Sequence, residues 1–410
     1  MKKDRKNIEL KRHDDEVNLN ELVMDNENVF SGLLSDLSKD RQASRRDFLK
    51  LCGFSFAVSA LSACQSKISK ALPYALAPVE ITPGEALYYA SSYINGNDYC
   101  SILIKTRDGR PIKIEGNPES GVTRGGTSAR VQASVLDLYD TGRFHGPSAD
   151  GRSVAWDAVD KDIQEKLQKI TEEKGTIVLL TPTVFSPSTE AVISGFLEKF
   201  KGSEWVQYDA ISCSALMEAN KISFGRQVIP DFRFDKADVV VSFGADFLGT
   251  WLSPIEYTEQ FSSRRDPEQT MNYLVQLESN LSLTGSNADL RIQIRPSQEA
   301  AVLMNIYREI IKTTEHRDIS APASPVDVTG ISGKLLAASG KSLVISGSNV
   351  REIQLLVNEI NRSLGNIGQT ILFESYLKTH VALDSDMERL VEKMQKGSVN
   401  AILIWNVNPA

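Results

Sequence analysis

A chain of 410 residues is longer than one ordinary domain, and its 41% hydrophobic and 24% charged residues are the composition of a globular protein with a core to bury. A net charge of -7, with no dense Lys/Arg tract away from the N-terminus, excludes an extended nucleic-acid-binding surface. Of the four cysteines, Cys52 and Cys64 fall in the leading segment, and the remaining Cys100 and Cys213 cannot alone supply a four-cysteine iron–sulfur cluster or a closed zinc site.

The four histidines, His13, His145, His316 and His380, are too scattered to show a metal-ligand spacing. Residues 1–43 are polar and highly charged. They lead into Ser44-Arg45-Arg46-Asp47-Phe48-Leu49-Lys50 and an apolar run of 13 residues from Leu51 to Ala63. A basic segment followed by such a run is the pattern of an export signal. As a helix the run spans about 20 Å, short of the ~30 Å hydrocarbon core. Residues 44–50 resemble the bacterial twin-arginine signal, with Arg45, Arg46, Phe48 and Leu49 as its recognition residues. Leu61-Ser62-Ala63-Cys64 resembles a lipobox, which implies acylation of Cys64. The expected organisation therefore begins with a twin-arginine (Tat) signal peptide over 1–63. A lipidated tether over 64–84, rich in Pro, Ala and Ser, follows. The expected location is the periplasmic face of the cytoplasmic membrane, with the protein held there by its lipid.

Next, Cys100–Lys105 and Pro111–Glu115 read as short strands about Asp108-Gly109, a strong hairpin signal. The glycine-rich loop over 116–126 completes a small β subdomain expected over 85–150. Glycines let a backbone approach a phosphate, although this loop is neither a Walker motif nor G-x-G-x-x-G.

Beyond residue 150, apolar strand-like runs recur at 177–180, 239–243, 274–277, 343–346 and 401–405. Helical patterns at 191–200, 300–311 and 353–364 lie between them. Strands buried on both faces and separated by helices predict an α/β fold with a doubly wound, mostly parallel sheet over 151–410. Small or polar residues close several strands, including Gly244, Asp246, Gly347, Asn349 and Asn408, and ligands of open α/β sheets sit at such ends. Plain strand-to-helix turns use the same residues.

Residues 108–118 (DGRPIKIEGNP) resemble the early hairpin of molybdopterin oxidoreductases of the dimethyl sulfoxide reductase superfamily. Residues 404–410 (IWNVNPA) resemble that family's pterin-contacting strand end. Three further stretches, 126–140 (GTSARVQASVLDLYD), 243–254 (FGADFLGTWLSP) and 283–289 (LTGSNAD), resemble one branch more closely. That branch is the molybdopterin-like and iron–sulfur large subunit of alternative complex III, a menaquinol-oxidising respiratory complex. The likeness runs from about residue 80 to the end. It implies pterin contacts at Gly116, Asn117, Gly244, Asp246, Gly347, Asn349 and Asn408, should a molybdopterin bind. Cys213 falls near the family's molybdenum ligand, but a buried small hydrophobe is the commoner role for such a cysteine.

The family's early C-x-x-C-x-x-x-C set is missing, since only Cys100 stands between 85 and 130. The resemblance then implies a scaffold that kept the fold without an N-terminal cluster, and no catalytic residue is assigned. The chain stops at the expected tip of a central strand. It reads as the N-terminal, incomplete part of a longer subunit whose Fe–S clusters lie further on. The expected function is a lipid-anchored electron-transfer subunit of a quinol-oxidising membrane complex, with quinol-oxidising and cytochrome c subunits as partners and no cofactor in this part. An active molybdenum oxidoreductase of the polysulfide or thiosulfate reductase type is the alternative. A non-redox lipoprotein that binds a ligand or partner is a third reading. Whether Cys100 and Cys213 pair in the oxidising compartment is left open.

Overall fold

The computed structural model describes Thr82 and residues 84–409. Arg45, Arg46, Phe48, Leu49, Cys64, the tether except for Thr82 and Gly84, and Ala410 therefore lie outside the described residues. The first elements are strands β1 (Ala86–Asn95), β2 (Asp98–Arg107) and β3 (Arg110–Gly116), which form an antiparallel sheet in that order. The β2–β3 turn is the expected Asp108-Gly109, with φ of 50° and 76°. Positive φ at both positions matches the right-handed twist of the flanking strands. Cys100, Ile102 and Ile114 on one face pack with Val131 of helix α1 (Ala129–Ala133) and with Ile255. β1 was not expected, because its Tyr/Ser/Ala sequence carries no apolar run.

A two-strand ribbon, β4 (Ser148–Ala149) and β5 (Arg152–Ser153), leads to α2 (Trp156–Glu172), β6 (Ile177–Thr181), α3 (Pro187–Lys199) and β7 (Ser203–Gln207). Ser186 caps α3 by accepting the Thr189 N–H, and Pro187 sits at the first helical position, where its missing N–H costs nothing. Helix α4 (Ser214–Phe224) ends at Gly225 in the left-handed region, and β8 (Ile229–Phe232) follows.

The central unit then runs through β9 (Val239–Phe243), α5 (Pro254–Ser262), β10 (Tyr273–Glu278), the single turn α6 (Leu283–Ser286) and β11 (Leu290–Gln293). Helices α7 (Glu299–Thr314) and α8 (Thr329–Ala337) lead to β12 (Ser342–Ser346) and α9 (Arg351–Ser363). Strand β13 (Ile371–Leu377), helix α10 (Asp384–Gln395) and β14 (Ala401–Ile404) complete the described chain.

The parallel α/β architecture is present, but its strands divide between two sheets. One has the order β11-β10-β9-β12 and the other β14-β6-β7, while β8 and β13 form a separate antiparallel pair. Every residue of β9 and β12 is buried, as both faces of this sheet are covered. One face packs on a cluster around Phe234, Phe247, Tyr257 and Phe261, and the other on Val302, Leu303, Ile306 and Ile310 of α7. Phe234 stacks on Phe247 with centroids 4.2 Å apart. Strand β14, expected as a central strand, pairs with β6 among the described residues. No described helix is long and apolar enough to cross a membrane.

Candidate functional site: the crevice at the strand carboxyl ends

From β9 the chain runs outward to β10 and β11, then returns to place β12 on the other side of β9. The carboxyl ends of β9 and β12 therefore form a topological switch point, where open α/β sheets bind ligands. Gly244 and Gly347 follow these two strands. Gly244 is in the left-handed region at φ 60°. The Gly347 N–H donates to the Phe243 carbonyl at 2.8 Å, and a Cβ on Gly347 would stand 2.8 Å from the Gly244 carbonyl oxygen. The two loops leave the sheet in direct backbone contact.

Asp246 organises the loop after β9. Its carboxylate accepts from the backbone N–H and hydroxyl of Thr284, at 2.9 and 2.8 Å, and its carbonyl accepts the N–H groups of Gly249, Thr250 and Trp251. The small sheet clamps the same loop. Arg130 pairs with the buried Asp98 and also donates to the Gly249 carbonyl at 2.9 Å, while the Asn97 amide donates to the Thr250 carbonyl.

Across the crevice, the loop after β12 meets the start of α4. Asn349 Oδ1 accepts the Ala215 N–H at 3.0 Å, and its Nδ2 donates to Asp384 Oδ2 at 3.0 Å. Asn349 thus caps α4 from a distant part of the chain and ties it to α10. Gln354 Nε2 is likewise engaged, donating to the carbonyls of Ser346 and Ser348 at 3.0 and 2.6 Å.

Cys213, at the N-cap of α4, packs against the core around Leu216 and Trp251. Burial pushes its thiol up to about 12, and the charges of Asp209 and Asp384 push in the same direction. The carboxyl ends of β6 and β7 add Thr183, whose N–H and hydroxyl donate to Asp209 at 2.9 and 2.6 Å. His380 is buried nearby. Burial lowers its pKa below the ordinary value, and Asp209 partly offsets that.

The structure brings Cys213, Gly244, Gly347 and Asn349 together at this switch point. Asp246 is one loop away, spent on Thr284. Asn408 follows β14, at the carboxyl end of the second parallel sheet, where Val407 packs against Leu180 and Leu390. Gly116 and Asn117 do not line the cavity. Gly116 packs directly on the Gly125 backbone, and Asn117 builds its own turn by accepting the Glu119 N–H at 3.0 Å. Cys100 and Cys213 are both free thiols, and Cys100 donates to the Gly126 carbonyl at 3.0 Å. The Thr183–Asp209 hydrogen bonds, with the buried His380 under the influence of Asp209, have no signal in the sequence beyond the polar residues that follow β6.

The geometry also tests the site against a pterin cofactor. The cavity lined by Cys213, Thr250, Trp251, Gly347, Ser348 and Asn349 has a volume of about 40 Å³, room for a few water molecules. No residue lining it is Lys, Arg or His, so nothing there is built to meet a pyrophosphate. Both ends of the Asn349 amide are already bonded within the protein. As folded, these residues do not fit the group. Among the described residues, no three His, Cys, Asp or Glu side chains are grouped to hold a metal ion.

No family profile matches the chain. It is 25% identical over 352 residues to the molybdopterin-binding-like subunit of a menaquinone reductase from Nitratidesulfovibrio vulgaris, covering 75% of this chain and 50% of that protein. It is 22% identical over 232 residues to a probable oxidoreductase of Bacillus subtilis, covering 53% of this chain and 33% of the relative. A third relative is the molybdopterin-containing subunit of a Shewanella arsenate respiratory reductase, 21% identical over 303 residues, covering 70% of this chain and 34% of that subunit. The match to each of these relatives spans between a third and a half of the relative's length. Acetylene hydratase from Pelobacter acetylenicus has a similar fold, with a TM-score of 0.51 at 13% identity, over 68% of this chain and 44% of that one. The chain is thus related to the molybdopterin oxidoreductase superfamily and shares its mixed α/β fold.

Proposed function

We propose that this chain is the molybdopterin-oxidoreductase-like portion of a lipid-anchored subunit in a quinone-linked respiratory complex, and that it acts as a scaffold without a pterin of its own. The observation that carries the reading is the engagement of the switch-point crevice by the chain's own groups. Asn349 is held by Ala215 and Asp384, which take its amide oxygen and one of its two amide N–H groups. The menaquinone reductase subunit, itself named as molybdopterin-binding-like, supports the quinone link. The twin-arginine and lipobox motifs, with Arg45, Arg46 and Cys64, support export and anchoring. Quinol oxidation of the alternative complex III type, with Fe–S clusters elsewhere in the full-length subunit and cytochrome c subunits as partners, is the specific form proposed.

The experiment is purification of the protein from its native membrane, wild type beside Cys64→Ser. Co-purification of membrane subunits and cytochrome c, together with menaquinol-driven haem reduction, supports the proposal. Release of the Cys64→Ser protein from washed membranes supports the anchor. A purified protein without redox partners, inert toward menaquinol, would instead leave a binding lipoprotein. The alternative of a working molybdenum enzyme draws on the Shewanella relative's name. It requires Asn349 and Cys213 to be freed from the contacts described.

A further inference from the structure

The two edges of the small antiparallel sheet are built differently. The β3 edge is guarded in the usual way: it carries Pro111, Lys113 and Glu115, and its register with β2 shifts between Lys105 and Thr106. Such features keep an edge from pairing with another strand. The β1 edge has none of them. It pairs with β2 over ten consecutive positions without a shift, from Ala86↔Arg107 to Asn95↔Asp98. Its sequence, ALYYASSYIN, contains no charged residue, proline or glycine. Residues Tyr88 to Ser92 are all exposed, and Tyr88 and Tyr89 are 49% and 52% exposed. Among the described residues, no other strand pairs with β1.

An unguarded edge of this length is a template for strand addition. The pattern of β1 indicates which strand it fits. In an antiparallel pairing about a two-fold axis, each residue opposes its counterpart reflected through the centre, so a charge near the centre would face its own copy. With Ser91 at the centre, Ala90 opposes Ser92, Tyr89 opposes Tyr93 and Tyr88 opposes Ile94. Small residues meet at the axis, and aromatic or aromatic–aliphatic pairs, the favourable cross-strand combinations, flank it. From this self-complementarity we infer that β1 joins a second copy of this chain, β1 to β1, into a continuous six-stranded sheet across a two-fold axis.

The test uses the full chain in mild detergent, with light scattering across micromolar concentrations. The wild type is expected to dimerise. Ser91→Lys is expected to weaken the dimer by about tenfold or more, because two like charges then oppose one another. Unchanged circular dichroism and thermal midpoint would separate this from misfolding. Ser91→Cys is expected to give a disulfide-linked dimer on mild oxidation, its two new thiols mapped by mass spectrometry. Ser92→Cys, which opposes Ala90, serves as the register control and is expected not to cross-link. A monomeric wild type, a dimer that persists in Ser91→Lys, or cross-linking through position 92 rather than 91 would overturn the inference. So would a monomer whose β1 amides gain hydrogen-exchange protection only inside the native membrane complex, since a different protein would then cover the edge.

Discussion

Asn349 and Asp384 meet at the mouth of the crevice, Nδ2 of one donating to Oδ2 of the other at 3.0 Å, and this contact fastens the loop after β12 to helix α10. The same amide caps α4 through the Ala215 N–H. Removing it leaves a helix donor and a carboxylate without this partner. Asn349→Ala is expected to lower stability by about 1–2 kcal/mol. Denaturant unfolding checks the value, and a neutral result would mean that the contact is not a strut.

Gly347→Ala probes the close approach of the two switch-point loops. The new Cβ would lie 2.8 Å from the Gly244 carbonyl oxygen, and backbone cannot swing aside as a side-chain tip can. A loss of about 1–3 kcal/mol is expected, again read by denaturant unfolding. Gly244 is expected to be sensitive for a different reason, its φ of 60°.

Arg130→Ala should loosen the small sheet. Asp98 is 2% exposed, and Arg130 is its ion-pair partner. Arg130 itself is half exposed, so leaving the buried Asp98 carboxylate without it is expected to cost about 1–3 kcal/mol, and the tie to Gly249 is lost as well. Limited proteolysis is expected to cut within residues 84–150 in the variant before the rest of the fold. Unchanged cleavage would show that the sheet docks by its apolar contacts alone.

The structure makes these contacts plain, whereas the sequence discloses them unevenly. Val239–Phe243 and Leu343–Ser346 were legible because a strand buried on both faces needs an unbroken apolar run. The Asp108-Gly109 hairpin was legible because few residue pairs take positive φ twice. β1 was not, since its Tyr, Ser and Ala residues alternate without an apolar face. Nor was the division into two sheets, because strand order follows from pairings between distant segments. Gly347 and Asn349 were visible as a polar strand end, but the partner of Asn349 lies 134 positions away in sequence. Sequence patterns report local structure, and that contact exists only after folding.

Glu256 links stability to pH. Burial raises its carboxyl from 4.5 to about 7 and Asp231 adds to the rise, while Ser253, Arg233 and Gln260 pull against it. Between these values the folded state holds a proton that the unfolded state has released, so stability falls as pH rises from about 4.5 through about 7. Glu256→Gln is expected to be more stable than wild type by about 2 kcal/mol at pH 8, with the gain vanishing near pH 4.5. Unfolding of both proteins across that range checks the sign, which a constant difference would contradict.

The most direct test of the scaffold reading is the molybdenum and iron content of the full-length protein purified from its native membrane. The account predicts iron without stoichiometric molybdenum, with the Asn349 tether intact and Cys213 slow to alkylate at pH 8. One molybdenum per chain would contradict it, because the crevice between β9 and β12 would then have to open and release Asn349 and Cys213 to a cofactor.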